Sequence, residues 1–257
     1  MKKHLLVLAG LALISSSLFA QKFELSVQAN SGLFHFSGKS ATTTSRVIQG
    51  SATGDPMNYT NNPYGKQNGF SYGGNLQGQF VTKGGFICGL GAGYEVLKSQ
   101  VDIDKYTPIV YYNGVIFDIT SNDPSFTVKG HTNLQNQAIN LNPYIGYRLQ
   151  LKKVKLDILP GMDIGFMLKT RDKGSVKDND GKVYTVDYGR SKSPTDVRLR
   201  LGAGATYGKF GLTASYTHGV TNYLSGLVST SNSNQGEAGS FSAHSGLMRL
   251  GVSYRIN

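Results

Sequence analysis

The 257-residue chain has no tryptophan, one cysteine, seven prolines and, beyond its first twenty residues, no long apolar run. Three of these shortages exclude something. Cys88 alone cannot form a disulfide framework within one chain. Without a run of about 18 apolar residues, no helix in the body of the chain can cross a bilayer. Any aromatic girdle at a lipid interface must be built from tyrosine and phenylalanine.

Glycine is plentiful, with 33 residues, and so is period-two alternation. Residues 1–20 are basic at Lys2 and Lys3, apolar from Leu5 to Ile14, and end Ser17-Leu18-Phe19-Ala20, the pattern of a secretory signal peptide cut after Ala20. Residues 21–257 are then expected to form one domain. Cleavage would lower the formal charge of +11 by two, leaving a basic protein that meets anionic lipid headgroups on export. The basic excess is spread along the chain without a reading helix or a stacking platform, so nucleic acid is not an expected partner.

The alternation predicts eight strands. Phe23 to Asn30 is the first, Phe70 to Phe80 the second, Phe86 to Val96 the third, and Ile139 to Leu149 the fourth. Val154 to Phe166, Asp196 to Ala205, Phe210 to Tyr216 and Met248 to Ile256 follow. Short turns at Lys83–Gly85, Gln150–Lys153 and Tyr207–Lys209 alternate with long polar stretches, Ser37–Gln67, Gln100–His131, Arg171–Ser193 and Ser225–Ser240. A soluble lipocalin-like barrel or sandwich would show the same alternation. Strands long enough to cross a bilayer at a tilt, an even strand count and strictly alternating short and long connections favour an all-β, eight-stranded antiparallel transmembrane β-barrel. It is expected as an up-and-down meander with extended outer hairpin loops. The short turns and termini would face the periplasm, where Phe80, Phe86, Tyr147, Tyr207, Phe210 and Tyr254 would form the girdle.

If the apolar faces meet lipid, the polar faces fill the lumen. These carry Glu24, Glu95, Asp157, Asp163 and Asp196 with Arg148, Lys155, Arg198, Arg200, Arg249 and Arg255. An eight-stranded barrel is just wide enough for side chains, so a paired charge network should plug it; an ion or proton path is the competing reading. Pro143 and Pro160 cannot donate to a ladder, and a bulge or kink is expected at their level.

In the outer loops, Asn113-Gly114 and Asp180-Gly181 are two-residue hairpin signals. Candidate contacts there are Tyr111, Tyr112 and Phe117, with Arg171, Lys173, Lys177, Lys182, Arg190 and Lys192 as a basic set suited to phosphate groups of lipopolysaccharide. Asp178-Asn179-Asp180-Gly181 begins like a calcium loop but lacks the spaced acids and closing Glu of an EF-hand, and a turn is expected. Thr217-His218 and His244-Ser245 bring hydroxyl and imidazole together in sequence. Adjacent strand residues point to opposite faces, however, so neither should form a catalytic dyad. No catalytic residue, cofactor or metal is assigned.

The amino-terminal segment, the glycine-punctuated strands, the stretch from Ile139 to Tyr147 and the ending Gly251–Ile256 resemble the small bacterial outer-membrane β-barrel domain family, the PorT-like group. The resemblance implies a Gram-negative outer-membrane location and a barrel fold, and it carries over no catalytic residue. The ending is also similar to the signal read by the barrel assembly machinery, with Leu250 in place of a polar residue, Ile256 in place of the final aromatic, and Asn257 after it. The expected function is a non-enzymatic, porin-like but plugged barrel whose outer loops bind lipopolysaccharide headgroups or a surface protein. A narrow channel for small solutes or ions and a lipid-modifying enzyme are the alternatives.

Overall fold

The computed structural model describes residues 22–50, 57–108, 111–112, 115–116, 125–191, 193–225 and 241–257. The segment expected as a signal peptide, the turn residues Asn113 and Gly114, Phe117, Lys192 and most of the fourth long connection lie outside them, as do the side chains of Tyr111 and Tyr112.

Thirteen strands are described. Eight are long: β1 (Lys22–Ser37), β4 (Gln67–Val81), β5 (Phe86–Thr107), β8 (Phe126–Leu151), β9 (Val154–Asp178), β11 (Asp196–Tyr207), β12 (Phe210–Gly219) and β13 (His244–Arg255). The short ones are β2 (Thr44–Gln49), β3 (Asn58–Thr60), β6 (Tyr111–Tyr112), β7 (Val115–Ile116) and β10 (Val183–Arg190). Each long strand pairs antiparallel with the next long strand in the chain, and β1 pairs with β13, which closes a ring of eight. All eight expected strands are present. β5, β8 and β9 run far past the expected ends, because alternation continues through what composition alone presents as polar loop.

Tight turns join the strands at one end of the ring. Gly85 and Gly208 take positive φ of 89° and 59°, and Lys152 is the one non-glycine with positive φ among the described residues, at 51°. Glycine also makes room inside. A Cβ on Gly89 would collide with the Tyr144 ring, so the small residue on β5 accommodates the large one on β8.

Pro143 and Pro160 do interrupt pairing, though not as a bulge. The ladder between β8 and β9 keeps one register from Leu141↔Ile164 through Tyr144↔Gly161 to Tyr147↔Ile158 but skips the intervening pairs. The ladders to their other neighbours run through both prolines, Pro143↔Leu90 and Pro160↔Leu201. A missing donor removes bonds without requiring an extra residue, so the register survives.

At the other end, the ring continues into a smaller β-structure. β2 pairs parallel with β5, β3 pairs with β2, and β10 pairs with β9. The order β10-β9-β8-β5-β2-β3 brings its two edges together. Across that seam, Asn58 Nδ2 donates to the Thr185 carbonyl at 2.8 Å, and the Tyr59 and Tyr188 rings lie 5.4 Å apart. Val47, Val101, Ile103, Tyr106, Val128, Val176 and Val186 pack inside as a core of their own. Below them, Phe34, Phe36, Leu97, Leu134, Tyr223 and Leu247 form a second apolar layer across the ring. The interior was expected to be polar throughout, but Phe34 and Phe36 extend the inward face of β1 beyond Asn30 and make its outer part apolar. Val96, expected on the exposed outer face, is covered at 2 % exposure.

A charge placed in the outer core separates the two parts. Val128→Asp or Val176→Asp should cost about 3 kcal/mol or more locally by burying an unpaired carboxylate. Limited proteolysis should then cut β2, β3 and β10 early, while the heat-modifiable gel shift of the intact ring persists; simultaneous loss of both would show one cooperative unit.

Candidate functional site

Strand alternation sends odd residues of β5 and even residues of β8 to the interior, and the same geometry applies around the ring. The outcome is inside-out. Leu212 and Leu250 on the outer surface are each 65 % exposed, whereas Asp163, Asp196 and Arg198 inside are 0 % exposed. Phe80, Phe86, Tyr147, Tyr207, Phe210 and Tyr254 are all exposed on the outer surface near the tight turns, joined there by Phe23. Cys88 lies exposed between Phe86 and Leu90 on that surface.

The structure places all eleven expected interior charges in two networks. Nearest the tight turns, Arg148 makes a fork to Asp157, with Nε to Oδ1 at 2.7 Å and Nη2 to Oδ2 at 2.8 Å. Its Nη1 reaches fully buried Glu24 at 2.9 Å. Glu24 also accepts from Gln79 at 2.9 Å and lies 3.3 Å from Arg255 and 3.7 Å from Lys155. Lys22 stands at its edge, 4.0 Å away.

The second network lies farther along the lumen and holds equal numbers of carboxylates and guanidiniums. Arg198 pairs with Glu95 and sits 3.6 Å from Asp196. Arg249 bridges Glu95 at 2.7 Å and Asp163 at 3.0 Å. Arg200 lies 3.7 Å from Asp163 and above the Tyr144 ring. Neutral donors complete the shell: Asn142 to Asp163 at 2.7 Å, Asn140 to Glu95 at 3.3 Å and Ser245 to Asp196 at 2.9 Å. Between the networks, amides and hydroxyls such as Gln28, Asn75, Gln77 and Thr213 surround a cavity of about 30 Å³, room for about one water molecule.

Sequence reasoning missed these neutral partners, since Asn, Gln and Ser on an inward face look like generic lumen filling. It also missed Asp172. This buried residue accepts from Arg190 Nε at 2.8 Å and from the Thr60 amide at 3.2 Å, and Arg190 also donates to the Thr60 carbonyl. Burial pushes the Asp172 carboxyl up, against the pull of Arg190. Arg190 therefore ties β3 to β9 and is not a free outer contact.

The other expected outer contacts differ among themselves. Arg171 is paired with Asp187 at 2.8 Å, Lys182 lies over the Tyr184 ring, and Lys173 and Lys177 are exposed. Asp178 to Lys182 forms the expected turn, with Gly181 at φ 90° and the Lys182 amide donating to Asp178 Oδ1 at 2.9 Å. Burial raises the Tyr106 hydroxyl to about 12, with Tyr184 contributing. The histidine pairs split across the wall: Thr217 is buried while His218 is exposed, and Ser245 is spent on Asp196. No cluster of metal-ligating side chains occurs among the described residues.

No protein-family model matches the chain, and no curated protein is similar to it in sequence. Among solved structures it is similar to Ail, the attachment invasion locus protein of Yersinia pestis, solved in complex with the heparin analogue sucrose octasulfate. That match has 12 % identity and a TM-score of 0.32, covering 92 % of this chain and 99 % of Ail. Neisserial surface protein A gives 14 % identity, 90 % and 96 % coverage and a TM-score of 0.37. The beta domain of the Bordetella autotransporter BrkA gives 12 % identity, 90 % and 98 % coverage and a TM-score of 0.26.

The interior pairs should be mutually dependent. Glu95→Gln or Arg198→Met alone is expected to cost about 3–5 kcal/mol, because each strands a buried charge. The double variant should cost clearly less than the sum. Urea midpoints of the folded gel species in detergent measure this, and strictly additive costs would show that pairing is not what holds these groups.

Proposed function

We propose that this protein is a non-enzymatic integral β-barrel of the bacterial outer membrane, with a lumen closed by its own side chains and an outer β-structure that engages lipopolysaccharide headgroups or a surface partner. The inside-out distribution of polarity carries the reading. Large apolar side chains, among them Val27, Leu76, Leu90, Ile145, Ile158, Leu201, Leu212 and Leu250, stand exposed all around the ring, while the charges are inside. A water-soluble monomer rarely exposes so continuous an apolar surface; a bilayer would cover it. The aromatic residues near the tight turns suit the periplasmic interface, and the smaller β-structure then lies outside the cell. Export through a cleaved signal peptide, delivery by the barrel assembly machinery and membership of the PorT-like group belong to the same reading.

Closure of the lumen rests on three layers: the two charge networks and the apolar layer of Phe34, Phe36, Leu97, Leu134 and Leu247. On this reading the cavity of about 30 Å³ between the networks is a site for ordered water and not part of a conducting path. The absence of an enzymatic role rests on the split histidine pairs and on carboxylates already committed to guanidiniums.

Two measurements test these claims. In a Cys88→Ser background, a spin label at Ala92→Cys should collide more with oxygen than with a water-soluble nickel chelate in reconstituted vesicles; the reverse order would sink the membrane reading. In planar bilayers the purified protein should give no steady open current. A stable, large ohmic conductance would replace the plugged barrel with a channel.

A further inference from the structure

Directly above the outward-facing Ile139, Phe166 and Leu168, the outer surface of β8 and β9 changes abruptly to basic. Lys169, Lys173 and Lys177 on β9 and Lys129 on β8 are all exposed. Lys177 is the direct cross-strand partner of Lys129. Like charges so placed repel, at a cost to the sheet. The nearest carboxylate across the β9–β10 ladder, Asp187 opposite Lys173, is engaged by Arg171 at 2.8 Å. Among the described residues, none of the four lysines takes part in an ion pair. The interior of the ring is the opposite: each of its charges lies within an ion pair.

The arrangement is a column and not a point. From Lys169 to Lys177 the strand rises roughly 27 Å at ~3.4 Å per residue. A partner that neutralises the column needs several negative charges spaced outward from the bilayer surface. A single phospholipid phosphate would reach only Lys169. Beside the lysines, β8 presents Asn133 opposite Lys173 and Gln137 opposite Lys169, neutral amides suited to sugar hydroxyls. We propose that this face of β8 and β9 binds a phosphorylated glycolipid of the outer leaflet, its membrane-proximal phosphates on Lys169 and Lys173 and those of its outer sugars on Lys177 and Lys129. The proposal rests on the membrane reading above and narrows it to four lysines, two of which, Lys129 and Lys169, are not evident from loop composition.

The test uses the full-length mature protein in vesicles of phosphatidylethanolamine and phosphatidylglycerol. The probes are rough lipopolysaccharide with a phosphorylated core, the same material after enzymatic dephosphorylation, and heparin. The wild type should retain the phosphorylated glycolipid in preference to both others. The quadruple variant Lys129→Gln, Lys169→Gln, Lys173→Gln, Lys177→Gln should bind it on the order of 1,000-fold more weakly, at about one lysine's worth of surface attraction per site. Equal binding by the variant, equal retention of dephosphorylated material, or tighter binding of heparin would each overturn the proposal. The heat-modifiable gel shift reports insertion separately: a protein that inserts but does not select the glycolipid fails this inference alone, whereas one that does not insert fails the membrane reading. Should the quadruple variant not fold, Lys129→Gln with Lys177→Gln removes the repelling pair and should weaken binding about 30-fold.

Discussion

Closure of the ladder between β1 and β13 is the constraint on which the rest of the structure depends. With twelve directly opposed pairs from Ser26↔Arg255 to Ser37↔His244, the ring has no free edge, and every long strand is held in register by two neighbours. Register fixes parity, because a slip of one residue would exchange the two faces. Parity in turn decides that Glu24, Asp157, Asp163 and Arg198 share one enclosed space in which they are buried from bulk solvent. The charge networks are therefore less a stabilising addition than the solution to a problem that closure creates. Opposed ions in confinement are tolerable only when nearly every oxygen and guanidinium finds a partner. The forked Arg148–Asp157 contact and the double bridge from Arg249 provide such partners.

Eight strands also set the radius of that space. At this size the interior is just wide enough for side chains to fill. The consequence appears in paired volumes: Gly89 makes room for Tyr144, whose hydroxyl then reaches Gln79 at 3.0 Å. Gln79 in turn donates to Glu24, so one large side chain links the inner face of β8 to the network at the turn end. Farther out, where β5, β8 and β9 leave the ring, fewer strands remain to close the wall. β2, β3 and β10 supply the missing strands, and the interior changes from charge to valine. An apolar core suits a wall bathed in water on its outside, just as, on the proposed membrane reading, a polar lumen suits one bathed in lipid.

Much of this was legible in the chain because period-two alternation reports parity directly. Phe86 to Tyr94 and Ile139 to Leu149 identify their lipid-type face residue by residue, and all eleven interior charges follow from the same count. Legibility ended where the outside of the strand ceased to be apolar. Beyond Phe166, Lys169, Arg171 and Lys173 still alternate with Thr170, Asp172 and Gly174, but both sets are polar or small, so the strand looks like a loop. The same blindness hid the outer core, since its valines are separated by lysine and glycine. Arg190 appeared to be a surface cation because nothing in the local sequence reveals Asp172, which only pairing of β9 with β10 brings to it.

The division between lumen and outer face bears on where selection can act. A lumen whose ions are paired with one another, although Asp196 Oδ2, Arg198 Nη1 and Arg200 Nε keep no hydrogen-bond partner of their own, has little free energy to offer a ligand that must first break such a pair. The outer lysines stand in the reverse condition. Lys129 and Lys177 oppose each other without a carboxylate between them, so an anion arriving there relieves a repulsion and displaces no existing partner. Binding is favoured where the free protein leaves charge uncompensated and disfavoured where the fold has already compensated it. The closed ring uses its charges to exist; the strands that outlast it carry charges that the fold does not need.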